Sequence, residues 1–193
     1  MPMLTTLALV VLELLHEQPM HPYEIQQTIR DRYIDHVVKV RAGSLYHTVE
    51  RLHRAELIEP IETARAGRRP ERTVYAITET GRDEFHAALR ELVREPRQEY
   101  PAFAAALEML HTVEGGEAVE MLARRCVRLE VEIAGYAEVL AGVAKRGISR
   151  VGLIEVEYAQ AMRQAELAWI RGLIDDIQSG TLPWGAMKTE EIR

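Results

Sequence analysis

The sequence predicts a mostly α-helical protein of two parts, with a single small β-hairpin in the first part. Apolar residues recur at helical spacing over most of the chain. Two short β-prone segments flank a loop that contains Gly and Pro, between about residues 58 and 78. After residue 101, alanine, leucine and glutamate dominate and no strand-like run occurs. At 193 residues, 47% of them hydrophobic, the chain is long enough for one domain or two small ones.

A first helix is predicted over Leu4–Leu15, which is apolar nearly all round. One small domain needs less apolar surface than this on one side of a helix. The surplus predicts that another subunit covers part of the helix. The alternative is a central helix buried within its own domain.

A second helix is predicted from Tyr23 to about Tyr33, with Pro22 as its first residue, a position where the missing N–H of proline costs nothing. Its buried side is expected to carry Tyr23, Ile25 and Ile29.

A third helix is predicted within Arg41–Leu57, because Leu45, Val49 and Leu52 recur at i, i+4 and i+7. Ser44 is expected to cap its N-terminus. The opposite face is polar and carries Ser44, His47, Thr48, Arg51 and Arg54. A short helix that is docked by one face and polar on the other suits a DNA major groove, although many such helices are simply solvated.

The next segments, Ile58–Thr63 and Thr73–Thr78, are predicted to pair as a hairpin around the loop Ala64–Arg72. A helix followed by a hairpin with an arginine-rich tip is the winged helix-turn-helix arrangement. The loop has four arginines against one glutamate, and residues 39–72 hold eight basic residues against five glutamates, a net charge of +3. Because the whole chain has a net charge of −6, the basic region is a local patch on an acidic body.

Thr78 is expected to cap a further helix that runs to about Arg94. The following stretch, Arg94–Pro101, has two prolines and mixed charge, and it is predicted to separate the domains. The prediction is a winged-helix domain over residues 1–95, a helical domain over residues 101–180 and a loose tail over residues 181–193.

The second part is predicted to hold a short helix over Pro101–Leu110 and two long ones, from Gly115-Gly116 to near Gly147 and over Val151–Ser179. At 1.5 Å per residue, each long helix extends roughly 40–50 Å. Helices of that length in a small domain usually pack as an antiparallel pair against a partner, which predicts a dimerisation domain.

Two segments, GSLYHTVERLHRAELI and AGRRPERTVYAITETGRDEF, resemble the PadR family of bacterial transcriptional regulators. The family's helix usually begins Gly-(Ser/Thr)-Leu-Tyr-Pro and is followed by a Gly before the wing. This chain keeps Gly43 to Tyr46 but has His47 in place of the Pro and Glu56 in place of the Gly. The resemblance covers about residues 4–90 closely, and the remainder only in its helical layout.

This resemblance implies a homodimeric regulator, usually a repressor, that binds a palindromic operator with half-sites about 34 Å apart. Ser44, Tyr46, His47 and Arg51 are expected to face the major groove. Phosphate contacts are expected from Lys39, Arg41 and Arg54. Contacts to phosphate or to an adjacent minor groove are expected from Arg65, Arg68 and Arg69. The alternative function is a winged-helix protein-interaction module, which needs neither a two-fold dimer nor a palindromic site.

Trp169 and Tyr158 on the last helix are candidates for an aromatic effector pocket. Aromatic residues at helical spacing more often belong to a core or a dimer seam. Related regulators respond to aromatic or cationic small molecules bound near the dimer interface, and the resemblance implies the same here.

The sequence does not suggest an enzyme, a metal site or a cofactor. The seven histidines are scattered, and neither a nucleophile set nor a phosphate-binding glycine loop has the required spacing. The single cysteine, Cys126, falls on an apolar stripe, which favours core packing over a thiol sensor and fits a reducing compartment. The opening MPMLTTLALVVLELL has no basic start and contains Glu13, so we expect neither a signal peptide nor a membrane span there. We therefore expect a cytoplasmic location.

Overall fold

The structure is a computed structural model, and it describes residues 4–36, 38–64, 72–145 and 149–185. The chain divides into two compact units, Met1–Gln98 and Glu99–Arg193. The predicted fold class is confirmed, since the described residues form helices and one two-stranded antiparallel hairpin.

The first unit contains four helices and the hairpin, in the order α1 (Thr6–Glu17), α2 (Pro22–Asp31), α3 (Ala42–Arg54), β1 (Ile58–Ala64), β2 (Arg72–Ile77) and α4 (Glu79–Arg94). A short 3₁₀ turn, Ile34–His36, lies between α2 and α3.

Helix α1 lies at the centre of this unit. Its Val11 and Leu12 are fully buried, in one cluster with Ile25 of α2 and Leu45 of α3. The buried central helix, which the sequence analysis left as the alternative, is therefore what the structure shows. Most of the apolar surface of α1, which suggested a covering subunit, is buried against other residues of the first unit.

Helix α2 begins at Pro22, as predicted. The ring of His21 accepts a hydrogen bond from the Tyr23 backbone N–H at 3.0 Å, and the Glu24 carboxylate accepts one from the His21 N–H at 2.7 Å. The expected burial of Tyr23 is wrong, because its side chain is exposed while Ile25 and Ile29 are buried. At about 100° per residue, Tyr23 lies roughly 200° from Ile25 around the helix axis.

Helix α3 lies within the predicted range but has a different N-cap. Its N-cap is Arg41, so the assignment of Ser44 as the N-cap is wrong. It ends at Arg54 because Glu56 adopts a left-handed backbone with φ 58°. The backbone N–H of Leu57 then donates to Leu52 at 3.0 Å, and that of Glu56 to His53 at 2.9 Å, which satisfies the last carbonyls of the helix.

Strands β1 and β2 pair antiparallel, from Ile58 opposite Ile77 to Ala64 opposite Arg72, with a register shift between Pro60 and Glu62. The turn between α1 and α2 also joins the hairpin, because Met20 and Tyr75 exchange two backbone hydrogen bonds of 3.0 Å. These bonds tie the hairpin to the helical part of the unit.

Thr78 caps α4, as predicted. Its hydroxyl accepts from the Gly81 N–H at 3.0 Å and donates to the Glu56 carbonyl at 2.8 Å. Gly81 sits so close to β1 that a Cβ there would lie 2.0 Å from the Leu57 carbonyl oxygen. Only glycine permits this approach of α4 to the chain that leaves α3.

The second unit contains α5 (Ala102–Met109), α6 (Gly115–Lys145) and α7 (Ile154–Ser179), with 3₁₀ turns at Leu110–Thr112 and Arg150–Leu153. Helices α6 and α7 pack together around the buried residues Leu122, Cys126, Leu129, Leu167 and Ile170. Ion pairs between Arg125 and Glu166 at 2.5 Å and between Arg163 and Glu132 at 2.7 Å also connect them. Arg125 pairs with Glu166, and Glu132, which comes later in α6, pairs with Arg163, which comes earlier in α7. The two helices therefore run antiparallel, as predicted.

The prediction of a loose tail from residue 181 is wrong for its first residues. The Trp184 indole N–H donates to the Val113 carbonyl at 2.8 Å, and its ring lies against Gly115. The Leu182 N–H donates to the Asp176 carbonyl at 3.0 Å. The remaining tail, residues 186–193, lies outside the described residues.

Candidate nucleic-acid interface

The most exposed side of α3 is opposite the side that it buries. Leu45, Val49 and Leu52 are buried, and Thr48 beside them is buried too. At about 100° per residue, the positions within roughly 30° of the opposite direction are Gly43, His47, Glu50 and Arg54. We call these four residues the outer face of α3.

Three side chains of the outer face form a connected row. Glu50 accepts a hydrogen bond from the Arg54 guanidinium, one helical turn further on. The other oxygen of the same carboxylate lies 4.0 Å from Nδ1 of His47, whose side chain is 85% exposed. A helix that enters a groove by its outer face would therefore present an acidic, a basic and an imidazole group together.

The first turn of α3 uses two of the predicted site residues for its own structure. The Ser44 hydroxyl donates to the Arg41 carbonyl at 2.6 Å and accepts from the Arg41 N–H at 3.1 Å. Ser44 is consequently half-buried, while Tyr46 and the Arg41 side chain are exposed beside it.

Arg51 lies on the flank of α3, not on the outer face. Its guanidinium donates to the Thr5 hydroxyl at 3.1 Å. The same hydroxyl caps α1 by accepting from the Ala8 N–H at 3.2 Å. The structure therefore places Arg51 in a bridge between α3 and the start of α1, although the sequence analysis expects it to face the groove.

The remaining predicted contacts lie before and after α3. Lys39 is exposed in the segment that leads into the helix, and Arg54 is exposed at its end. Arg65, Arg68 and Arg69 lie outside the described residues. The structure thus brings His47 and Arg54 together, with Tyr46 beside them, and leaves the wing contacts as predictions.

His53, near the end of α3, has a structural contact. Its Nδ1 lies 3.2 Å from the Ile58 carbonyl, and its ring meets the edge of the Tyr75 ring at a centroid distance of 5.7 Å. These contacts join the end of α3 to the hairpin.

Glu50 and Gly43, which the sequence did not single out, lie on the outer face of α3. In the sequence, Glu50 counts only as a charge that offsets nearby arginines. The signal that identifies both residues is the angular position around α3, because both lie opposite the Leu45–Val49–Leu52 stripe. A Cβ at Gly43 would meet no atom within 4 Å, so the chain itself does not require a glycine there for space.

The second unit has a cleft of about 610 Å³ that includes Trp169. Its apolar walls include Phe103 and Leu107, and its charged residues are Arg125, Arg163 and Glu166. The Arg125 guanidinium stacks over the Phe103 ring at 3.7 Å and also pairs with Glu166. Tyr158, the other candidate for an effector pocket, is exposed and does not line this cleft, so its role remains a prediction.

Cys126 is buried between α6 and α7, as its position on the apolar stripe predicted. Burial raises the pKa of its thiol, which disfavours the reactive thiolate. Among the described residues, His, Cys, Asp and Glu side chains form no group of three or more that could hold a metal ion. In that same part of the chain no helix combines the length and the apolarity needed to cross a membrane.

The helices and the hairpin of the first unit define a class of protein, the winged helix-turn-helix fold. Residues 11–87 match the family described as the transcriptional regulator PadR-like family, and this part of the chain is similar to that family. The family description names transcriptional regulators. No curated protein matches the chain by sequence.

Solved structures with the same fold extend over both units. PadR of Bacillus subtilis in complex with operator DNA has a TM-score of 0.72 at 16% identity, over 90% of this chain and 99% of its own. The same protein in complex with p-coumaric acid gives 0.74 at 13% identity, over 90% and 99%. The Vibrio cholerae virulence activator AphA gives 0.66 at 18% identity, also over 90% and 99%. At these identities the likeness establishes the fold of the whole chain.

Proposed function

We propose that the chain is a homodimeric transcriptional regulator that inserts the outer face of α3 into the major groove of a palindromic operator. The observation that carries this proposal is the two-sided character of α3 within a domain that is similar to the PadR-like family. One side is docked on α1 and α2, and the other side is exposed among the described residues and carries hydrogen-bonding groups. B. subtilis PadR, which shares the fold, has been solved with operator DNA.

In this arrangement the roles divide between base readout and phosphate contact. His47, with Tyr46 and Ser44 at the start of α3, meets base edges, which give specificity. Phosphates are held by Lys39, Arg41 and Arg54. The wing contacts phosphate or an adjacent minor groove through Arg65, Arg68 and Arg69, and all of these contacts fix the position of the protein on the DNA. Arg51 supports the helix through Thr5, and it reaches the groove only if that bond opens.

A second copy of the chain is the proposed partner of the α6–α7 surface. Val127, Val131 and Val139 are exposed along α6, and Ile154, Tyr158 and Met162 along α7. Several exposed large apolar side chains on both helices of a single chain mark an interaction surface. A symmetric dimer through these helices supplies the two-fold axis that a palindromic operator requires.

We further propose that the protein is a repressor released by an aromatic effector, and that it acts in the bacterial cytoplasm, where operator DNA is found. The Trp169 cleft supports this proposal, because it combines aromatic walls with two arginines and a single glutamate. That chemistry suits a planar ring whose acidic group replaces a glutamate as the partner of Arg125 or Arg163, which pair with Glu166 and Glu132 in the free protein. The p-coumaric acid bound by B. subtilis PadR has that character.

Selection of bound sequences from random DNA tests the proposed function most directly. A regulator yields a palindromic consensus with half-sites about one helical turn apart, and the complex contains two chains. A protein-interaction module yields no consensus at any salt concentration. Transcription in vitro from a promoter that carries the selected site then distinguishes a repressor from an activator.

A further inference from the structure

We propose, building on the proposed DNA binding, that Glu50 is a specificity-determining residue that accepts a hydrogen bond from a cytosine amino group in the major groove. The residue belongs to the outer face of α3, between His47 and Arg54. A DNA groove that contacts the His47 and Arg54 side chains therefore also contacts the Glu50 carboxylate.

The fold itself gives little reason for a carboxylate at this position. The Glu50 side chain is 54% exposed, and in the described part of the chain it contacts only Arg54 and His47, which are exposed too. Ion pairs between exposed side chains four residues apart stabilise a helix only slightly. No buried group depends on Glu50, so its removal leaves the core intact.

A negative charge here opposes DNA binding unless a base offers it a donor. A carboxylate accepts hydrogen bonds but cannot donate them, and the phosphates and most major-groove atoms are themselves acceptors. The donors in the major groove are the amino groups of cytosine and adenine, and carboxylates pair with cytosine N4. Glu50 therefore weakens binding to most sequences and is compensated best where a cytosine lies opposite it, because the adenine amino group stands beside the acceptor N7, which repels a carboxylate.

Arg54 takes part in the same selection. Its guanidinium is held by Glu50 in the free protein, which keeps the arginine over the outer face. When a base binds the Glu50 carboxylate, Arg54 keeps its hydrogen bond to that carboxylate. Its remaining N–H groups can then donate to a phosphate or to a guanine next to the bound cytosine.

The experiment uses the full chain with Glu50→Gln, Glu50→Asp and the control Glu91→Gln. Glu91 lies on α4, its side chain is 53% exposed and it pairs with Arg97 at 3.2 Å, so it matches Glu50 in charge, exposure and type of partner. The dissociation constant is measured at one salt concentration for the selected operator, for each single base-pair variant of it and for random DNA.

We expect Glu50→Gln to bind random DNA about three-fold more tightly, because one like charge is removed from the interface. Its ratio of operator to random affinity should fall about five-fold or more, with the preference for one C·G pair in each half-site lost. Glu50→Asp keeps the charge but shortens the reach, so its random-DNA affinity should stay within about two-fold while the operator loses about five-fold. Glu91→Gln should change neither quantity by more than about two-fold.

An equal effect of Glu50→Gln and Glu91→Gln would overturn the proposal, since it would show a general charge effect. The proposal would also be overturned if Glu50→Gln melted at the same temperature as the unaltered protein and kept its base preference unchanged. If the unaltered protein selects no DNA sequence at all, the proposed function itself falls, and that outcome is distinct from a regulator whose specificity ignores Glu50.

Discussion

Arg51 on α3 donates a hydrogen bond to the hydroxyl of Thr5, with 3.1 Å between Nη2 and Oγ1. Thr5 is the N-cap of α1, so one hydroxyl both starts the central helix and holds the flank of the proposed recognition helix. The two residues are 46 positions apart in sequence, and the bond therefore reports the folded arrangement of α1 and α3.

Replacing Thr5 with Ala should lower the free energy of unfolding by about 1 kcal/mol, the usual cost of losing an N-cap hydroxyl. Thr5→Ser keeps the hydroxyl and should be nearly neutral. In a double-mutant cycle with Arg51→Ala, a coupling energy of about 0.5–1 kcal/mol is expected from urea unfolding. Thr6→Ala, at an exposed neighbour, is the control and should cost less than about 0.5 kcal/mol beyond any helix-propensity change. Strict additivity would show that the bond contributes no stability.

Glu56 gives a second prediction, because its φ of 58° is a conformation that glycine adopts without steric cost. This is the position where the PadR family usually has Gly. Glu56→Gly should raise the free energy of unfolding by about 0.5–1 kcal/mol, since the relief of backbone strain exceeds the added entropy of the unfolded glycine. Glu59→Gly, in the adjacent strand, should instead destabilise. Chemical denaturation of both variants checks the opposite signs, and a destabilised Glu56→Gly would show that the Glu56 side chain contributes more than its backbone strain costs.

The sequence predicted what depends on local spacing and missed what depends on contacts between distant residues. The Leu45–Val49–Leu52 repeat located α3 and its docked side, and Thr78 marked the start of α4. The left-handed backbone that ends α3 was not predicted, because a glutamate such as Glu56 gives no sign of it. Arg51 was misplaced because its partner Thr5 is adjacent only in the fold.

The proposed dimer can be tested at Val131, which is 69% exposed on α6. Val131→Glu should shift the protein from dimer to monomer in light scattering at micromolar concentration, because it places a charge in the apolar seam. The expected loss in operator affinity is about ten-fold or more, since two linked half-sites become one. Val93→Glu is a matched control on α4, where the valine is 81% exposed, and it should remain dimeric. A Val131→Glu protein that stays dimeric with full affinity would exclude this face as the seam.

Deletion of residues 151–193 tests the same interface more severely. The deletion removes α7 and with it the partner of the buried α6 residues, so the fragment should be monomeric or aggregate and bind the operator much more weakly. A soluble dimer with unchanged affinity would place the dimer contacts elsewhere in the chain.

Effector binding is testable by fluorescence, because the chain has only two tryptophans, Trp169 and Trp184. Planar aromatic acids should quench the emission saturably, and Trp169→Phe should abolish most of the change while Trp184→Phe keeps it. The same compounds should weaken operator binding with one shared concentration dependence, because coupling between two sites is reciprocal. Quenching that leaves the DNA affinity unchanged would assign Trp169 a structural role only.

The wing arginines should contribute affinity without specificity. Replacing Arg68 and Arg69 together with Ala should weaken binding to operator and to random DNA about equally. Each lost phosphate contact should reduce the slope of log affinity against log salt by about 0.9. A double variant that loses operator binding but keeps its salt slope would mean that the wing reads bases.

His47 should show the opposite pattern, because it lies on the outer face near the start of α3, where side chains meet base edges. Its side chain is 85% exposed and outside the buried Leu45–Val49–Leu52 stripe, so His47→Ala should leave thermal melting almost unchanged. The variant should lose about 1–3 kcal/mol of binding free energy on the operator alone, with an unaltered salt slope, since a base contact and not a phosphate contact is removed. An equal loss on random DNA would make His47 a phosphate contact. Normal operator binding would mean that histidine, in place of the family's usual proline, carries no specificity, and base readout would then rest with the other side chains of α3.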